Sequence, residues 1–351
     1  MFPLCKNVQE LKIHLYSGGC TSLPDMRNFC FELMTSQEKL ETLIITSCFQ
    51  LDEKTVVEAK YNLKQLSVCN GGIFKNCEDR FELNARLLQI MERHKNTLEN
   101  LEMFGMNDNF MEFIMKNLKV QRLFIDAAWL PTDRQVYIRT QPNVHLKKLI
   151  IGRHITKAEA LQGLFRTYPR IESFIIKNWW PEDINEGLID IASILKSLKF
   201  LHIPTLISNT PDAPMPSLRT FNVDFLDGIQ NFLAFCFNIP SIENLAIKQF
   251  EASTFTTENI QIMTSRLLQL RHIKFGEKFE LTSEILDVFS SNCLQLRLIE
   301  MVNNLDNSKS NVTHGKVQVV YFSQCYAPHV FKEEKALCNK YGEIKRGNGL
   351  I

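Results

Sequence analysis

A short segment with apolar residues at its first, fourth and sixth positions recurs thirteen times along this chain. No other feature of the sequence restricts the fold as much. Early copies are Val8-Leu11-Ile13, Leu40-Leu43-Ile45, Leu63-Leu66-Val68 and Leu98-Leu101-Met103. Val120-Leu123-Ile125, Leu146-Leu149-Ile151 and Ile171-Phe174-Ile176 continue the series, and Leu296-Ile299-Met301 and Val317-Val320-Phe322 close it. The middle residues lie 32, 23, 35, 22, 26, 25, 27, 20, 24, 28, 26 and 21 positions apart, a mean of about 26. Alternation between the fourth and sixth positions marks a short strand with one buried face.

Several intervals hold helix-like segments, at 82–94, 156–168, 182–198 and 282–293. Thr156 and Glu159 have the spacing of a capping box, and Asp183 and Thr282 are further helix starts. The 20-residue interval between Leu201 and Phe221 contains "NTPDAPMP", whose turn formers leave space for a loop only. A strand followed by a crossover to the next strand makes neighbours parallel. The expected fold is therefore α/β, a solenoid of about thirteen repeats shaped as a horseshoe. Its parallel sheet is concave and its helices are convex.

This period resembles the leucine-rich repeats of the ribonuclease-inhibitor-like class, over residues 5 to 326. Cysteines flank some strands: Cys5 and Cys293 stand before one, and Cys48 and Cys325 after one. In this the chain is similar to the cysteine-containing repeats of F-box/leucine-rich-repeat proteins, the substrate receptors of cullin-based ubiquitin ligases. The resemblance implies a recognition module that holds a target on its concave face. No F-box precedes the first repeat, so the expectation is a truncated form or a repeat-only paralogue. Ligase subunits enter as partners only where an N-terminal F-box accompanies the repeats. The alternative is a stand-alone leucine-rich-repeat scaffold or inhibitor unrelated to ubiquitination. The expected organisation is a solenoid over 1–326, then a capping helix within 330–340 and a tail, together 327–351.

The working surface of such a scaffold is the sheet face without helices. Its central row is Lys12, Ile44, Ser67, Glu102, Phe124, Ile150, Ile175, His202, Asn222, Ala246, Lys274, Glu300 and Tyr321. Phe124, Ile150 and Ile175 are adjacent there, with Phe104 and Phe200 near the two ends. Large apolar groups on a face expected to be wet point to a protein-docking patch. Arg122, Asp126, Lys148 and Lys177 would rim it, and His202 is the one histidine placed on this face near the patch. Trp129, Trp179 and Trp180 follow the strands of copies five and seven, as loop packing or as an aromatic rim.

Composition excludes several other classes. The 351 residues include 40 basic and 39 acidic ones, a net charge of +1, which argues against nucleic acid or an anionic membrane surface as partner. No secretory leader and no apolar run of transmembrane length is present. Ten scattered cysteines without a C-x-x-C pair read as reduced thiols of an intracellular protein, cytoplasmic or nuclear. The histidines have no zinc-ligand spacing, and "NGGIFKNC" (70–77) lacks the ending of a phosphate loop. No catalytic constellation is found, so neither an enzymatic activity, a metal nor a cofactor is expected.

Overall fold

Among the described residues, thirteen short strands, each at one of the recurring segments, pair in parallel within their own compact unit. The computed structural model describes residues 7–14, 37–46, 60–69, 87–104, 108–126, 140–152, 158–177, 194–206, 214–226, 228–250, 255–276, 279–303, 312–314 and 316–323. The chain divides into two compact units, Met1–Ile242 and Glu243–Ile351, a division that the repeat spacing does not mark.

In the first unit the strands are β1 (Glu10–His14), β2 (Thr42–Thr46), β3 (Gln65–Cys69), β4 (Asn100–Phe104), β5 (Arg122–Asp126), β6 (Lys148–Gly152), β7 (Ser173–Lys177), β8 (Phe200–Leu206) and β9 (Thr220–Leu226). Each pairs in parallel with the next in chain order. The second unit contains β10 (Asn244–Gln249), β11 (His272–Phe275), β12 (Leu298–Asn303), β13 (Val312–His314) and β14 (Val317–Ser323). Here β10, β11, β12 and β14 are parallel, while β13 runs antiparallel to β14. The fold class is the α/β leucine-rich-repeat solenoid expected from the spacing.

Helices occupy the connections: α1 (Asp108–Asn117), α2 (Ala158–Thr167), α3 (Ile229–Cys236), α4 (Thr257–Arg266) and α5 (Ser283–Asn292). A helical stretch at 87–93 belongs with them. The expected segments at 82–94, 156–168 and 282–293 thus contain helix. Thr282 caps α5 by accepting a hydrogen bond from the Ile285 N–H at 3.3 Å. Thr156, Asp183, the loop stretch 207–213 and the C-terminal capping helix and tail, 327–351, lie outside the described residues.

Register follows the alternation. Leu43, Leu66, Leu101, Leu123, Leu149, Phe174, Leu201 and Phe221 occupy one ladder row, and each is fully buried. Helices pack on this side, where edge-on and tilted ring contacts join strand to helix. Phe165 of α2 meets Phe174 at 4.8 Å, Phe235 of α3 meets Phe221 at 4.8 Å, and Phe289 of α5 meets Phe275 at 6.3 Å. In the second unit Phe250, Phe255, Phe275 and Phe279 add a cluster in which Phe275 and Phe279 stack at 3.8 Å.

One strand departs from the expected phase. Val319 of β14, not Val320, pairs with Ile299 and is fully buried, and Val320 pairs with Glu300 on the open row where Tyr321 was expected. The run Val317-Gln318-Val319-Val320-Tyr321-Phe322 has apolar residues on both parities, so alternation cannot choose between its faces. A main-chain bond from the Gln318 N–H to the Arg297 carbonyl, 2.9 Å, sets the phase instead.

That bond belongs to a series. In each unit the carbonyl of the residue just before a strand accepts two N–H groups from the following repeat. Gln9 accepts from Glu41 and Thr42, Glu99 from Gln121 and Arg122, Glu172 from Lys199 and Phe200, and Arg271 from Arg297 and Leu298, at 2.7–3.2 Å. The bifurcated join extends the sheet ladder one residue beyond each strand and satisfies backbone groups at its entry.

Candidate protein-docking face

Side chains one position out of phase with the helix-covered row point to the opposite face of the sheet. In the first unit they form the register Ile44, Ser67, Glu102, Phe124, Ile150, Ile175, His202 and Asn222. Phe124, Ile150 and Ile175 come together as the spacing predicted, and Phe200 packs against them. They are not the wet patch that was expected: their exposures are 4%, 1% and 1%. Two contacts help to explain this. Gly152 lacks a side chain, and a Cβ there would lie 3.2 Å from Cε2 of Phe124, so the ring rests across β6. The Lys177 ammonium sits 5.9 Å from the centre of the same ring, a cation–π contact that covers the ring further. Stacking at the roughly 4.8 Å strand spacing closes the gaps within the row.

Around this dry floor stand half-buried groups. Arg122, Lys148 and Phe200 occupy the row before it, and Lys177 the row after it. The remaining expected residues, Phe104 and Asp126, end β4 and β5, and their side chains lie outside the described residues. So do Trp129, Trp179 and Trp180.

Polar groups flank the floor on both sides. Toward β3, the Ser67 hydroxyl donates to Glu102 Oε2 at 2.9 Å, and Arg122 Nη2 approaches Glu102 Oε1 at 3.9 Å. Glu102 is 5% exposed, a carboxylate kept in the row by a hydroxyl and a guanidinium. Toward β9, His202 is buried, and its Nε2 lies 3.0 Å from Asp224 Oδ1. Asn222, also buried, stands beside His202 in the register.

The open row of the second unit carries its own buried carboxylate. Glu300 has Oε1 3.2 Å from His272 Nε2 and Oε2 3.1 Å from Lys274 Nζ. The Lys274 contact is a close charge pair, and the directions of both contacts fall short of good hydrogen bonds. Burial pushes the Glu300 carboxyl up, but His272 and Lys274 outweigh it and hold the group below its ordinary range. Glu102 and Glu300 were legible only as members of the row. A glutamate in the central row with cations one strand away is the signal that marks both.

At the entry edge, several of the residues that carry the bifurcated carbonyls pair with an opposite charge on the next repeat. Lys64 Nζ meets Glu41 Oε1 at 2.7 Å, and Glu172 receives Lys147 at 2.9 Å and Lys199 at 2.8 Å. Among the described residues no cluster of three histidine, cysteine or acidic side chains is arranged for a metal ion, and no helix is long and apolar enough to cross a membrane. No protein-family model matches the chain, and no curated protein matches it.

Proposed function

We propose that this protein is a non-catalytic recognition module that docks a protein partner on the helix-free face of β5 to β8. The observation that carries the reading is the combination found there. A packed apolar floor of Phe124, Ile150 and Ile175, itself shielded, supports the half-buried Phe200 and the cations Arg122, Lys148 and Lys177, which are the groups a partner meets. A floor that is already packed requires little ordering when a partner arrives. The cations supply orientation and encounter rate more than raw affinity, and they favour a partner surface with acidic groups around an apolar centre.

The finer reading is the repeat region of an F-box-type ubiquitin ligase receptor, or a paralogue of one. Its support is the cysteine pattern. Cys293, just ahead of β12, is a free, buried thiol whose Sγ lies 3.9 Å from the Thr264 carbonyl oxygen and 3.8 Å from that of Leu267. The resemblance implies a cysteine at that position, and here its thiol reaches carbonyls of the repeat before it. Quantitative affinity purification tests both levels, using the full chain and a Lys148→Glu/Lys177→Glu variant shown to be folded by circular dichroism. A partner bound by the parent and lost from the variant is expected. Identical partner sets would overturn the docking surface. Ligase adaptor in the purified complex supports the finer reading, and a partner without any ligase subunit supports the stand-alone scaffold.

A further inference from the structure

His202 differs from the rest of the open row. The Asp224 carboxylate accepts at Nε2, 3.0 Å away, so in the neutral ring Nε2 carries the proton and Nδ1 is left as a bare lone pair. That Nδ1 is buried and has no hydrogen-bond partner among the described residues. Buried polar atoms are almost always satisfied, and an exception calls for a reason. Here the orphan acceptor lies on the helix-free face, one strand from Ile175 and one strand from the Asn222 amide.

We infer that His202 and Asn222 form the polar anchor of the docking face and receive a carboxamide side chain, asparagine or glutamine, from an extended partner segment. The inference rests on the docking reading above and names the chemistry of its occupant. Nδ1 requires a donor, which a carboxylate cannot supply. Asn222 offers both a donor and an acceptor, which a carboxamide answers in full. An ammonium could donate to Nδ1, but burial in this dry row costs a charged group far more than an amide. Apolar side chains next to the carboxamide would then lie along the half-buried Phe200, since Ile150 and Ile175 are shielded. Asp224 acts as a positioning residue, fixing the tautomer that leaves Nδ1 as the acceptor.

The test uses the full chain and a panel of end-capped octapeptides. Each has a constant apolar frame and one variable central residue, glutamine, asparagine, lysine, glutamate or leucine, and binding is read by fluorescence polarisation. The glutamine or asparagine peptides should bind about tenfold more tightly than the leucine peptide. His202→Phe, which suits an apolar row, should abolish that difference, with folding checked by thermal melting. Asp224→Ala should reduce it. Nitrogen-15 spectra of the imidazole in the free chain should report Nδ1 as the unprotonated nitrogen. Binding of all the peptides with no preference at the variable position, a preference for lysine, or a protonated Nδ1 in the neutral ring would overturn this inference alone. Failure of every peptide to bind would overturn the docking reading with it.

Discussion

His94 shows how one side chain ties a repeat to its neighbour. It is buried, it stacks on Tyr61 with ring centres 5.4 Å apart, and its Nδ1 accepts the Leu63 N–H at 3.3 Å. Burial, and then the charge of Arg93, lowers its pKa from 6.5 to about 4. The unfolded chain therefore binds more protons between those values. The His94 contribution is fully present above pH 6.5 and is lost as pH falls toward 4, at roughly 3 kcal/mol in total. Urea unfolding from pH 7.5 to 4 should show a steeper loss for the parent than for His94→Gln, and parallel curves would refute this. Gly276 is the residue-scale feature with no signal in the sequence. A Cβ there would stand 1.5 Å from the Lys248 carbonyl oxygen, while the Gly276 N–H donates to the Ile247 carbonyl at 2.8 Å. Gly276→Ala should cost at least about 2 kcal/mol in the same assay. By contrast, Gly152→Ala meets only the movable ring of Phe124 and should cost less.

Strands were far more legible than helices or exposures, and the reason lies in their period. Leu123, Leu149 and Phe174 could be placed in one row because alternation by two is the only pattern that keeps them inward. The same rule failed at β14, where adjacent valines make both phases apolar. Alternation also assigned Phe124, Ile150 and Ile175 to the open face but could not reveal that they are shielded there. Side-chain burial depends on the missing Cβ of Gly152 and the reach of Lys177, neither of which is periodic. His202 and Asp224 were each assigned a row, yet the hydrogen bond between them depends on a diagonal across two strands. Thr282, read as a helix start, opens α5; Thr256, which opens α4 in the same way by accepting from the Asn259 N–H at 3.2 Å, was not read as one. Thr282→Ala should lower the unfolding free energy by about 1 kcal/mol, while Thr282→Ser should leave it nearly unchanged. Equal losses in the two variants would show that the cap is not the cause.

At the scale of the whole molecule, the same side-chain rows recur through the successive repeats of each unit, and charge is arranged along them. Hydrogen bonds from Lys199 and Lys147, together with their charges, hold the Glu172 carboxyl below its usual range. That stabilisation is present at neutral pH and disappears as the carboxylate protonates. Both lysines are exposed and Glu172 is about a third exposed, so screening keeps the effect small. Glu172→Lys, which brings three cations into sequence along the edge, should destabilise by about 1 kcal/mol at low salt. Half-molar salt should recover most of the loss, and a salt-independent effect would point to packing instead. Beneath these charges lies the join made by one carbonyl and two N–H groups, which uses no side chain at all. Within a unit, a repeat cut out between two such carbonyls would leave ends that match, whatever the length of the intervening loop. Duplication or deletion of whole cassettes could therefore reshape a chain of this kind without a frame error in its sheet, and proline alone would be barred from the two donor positions.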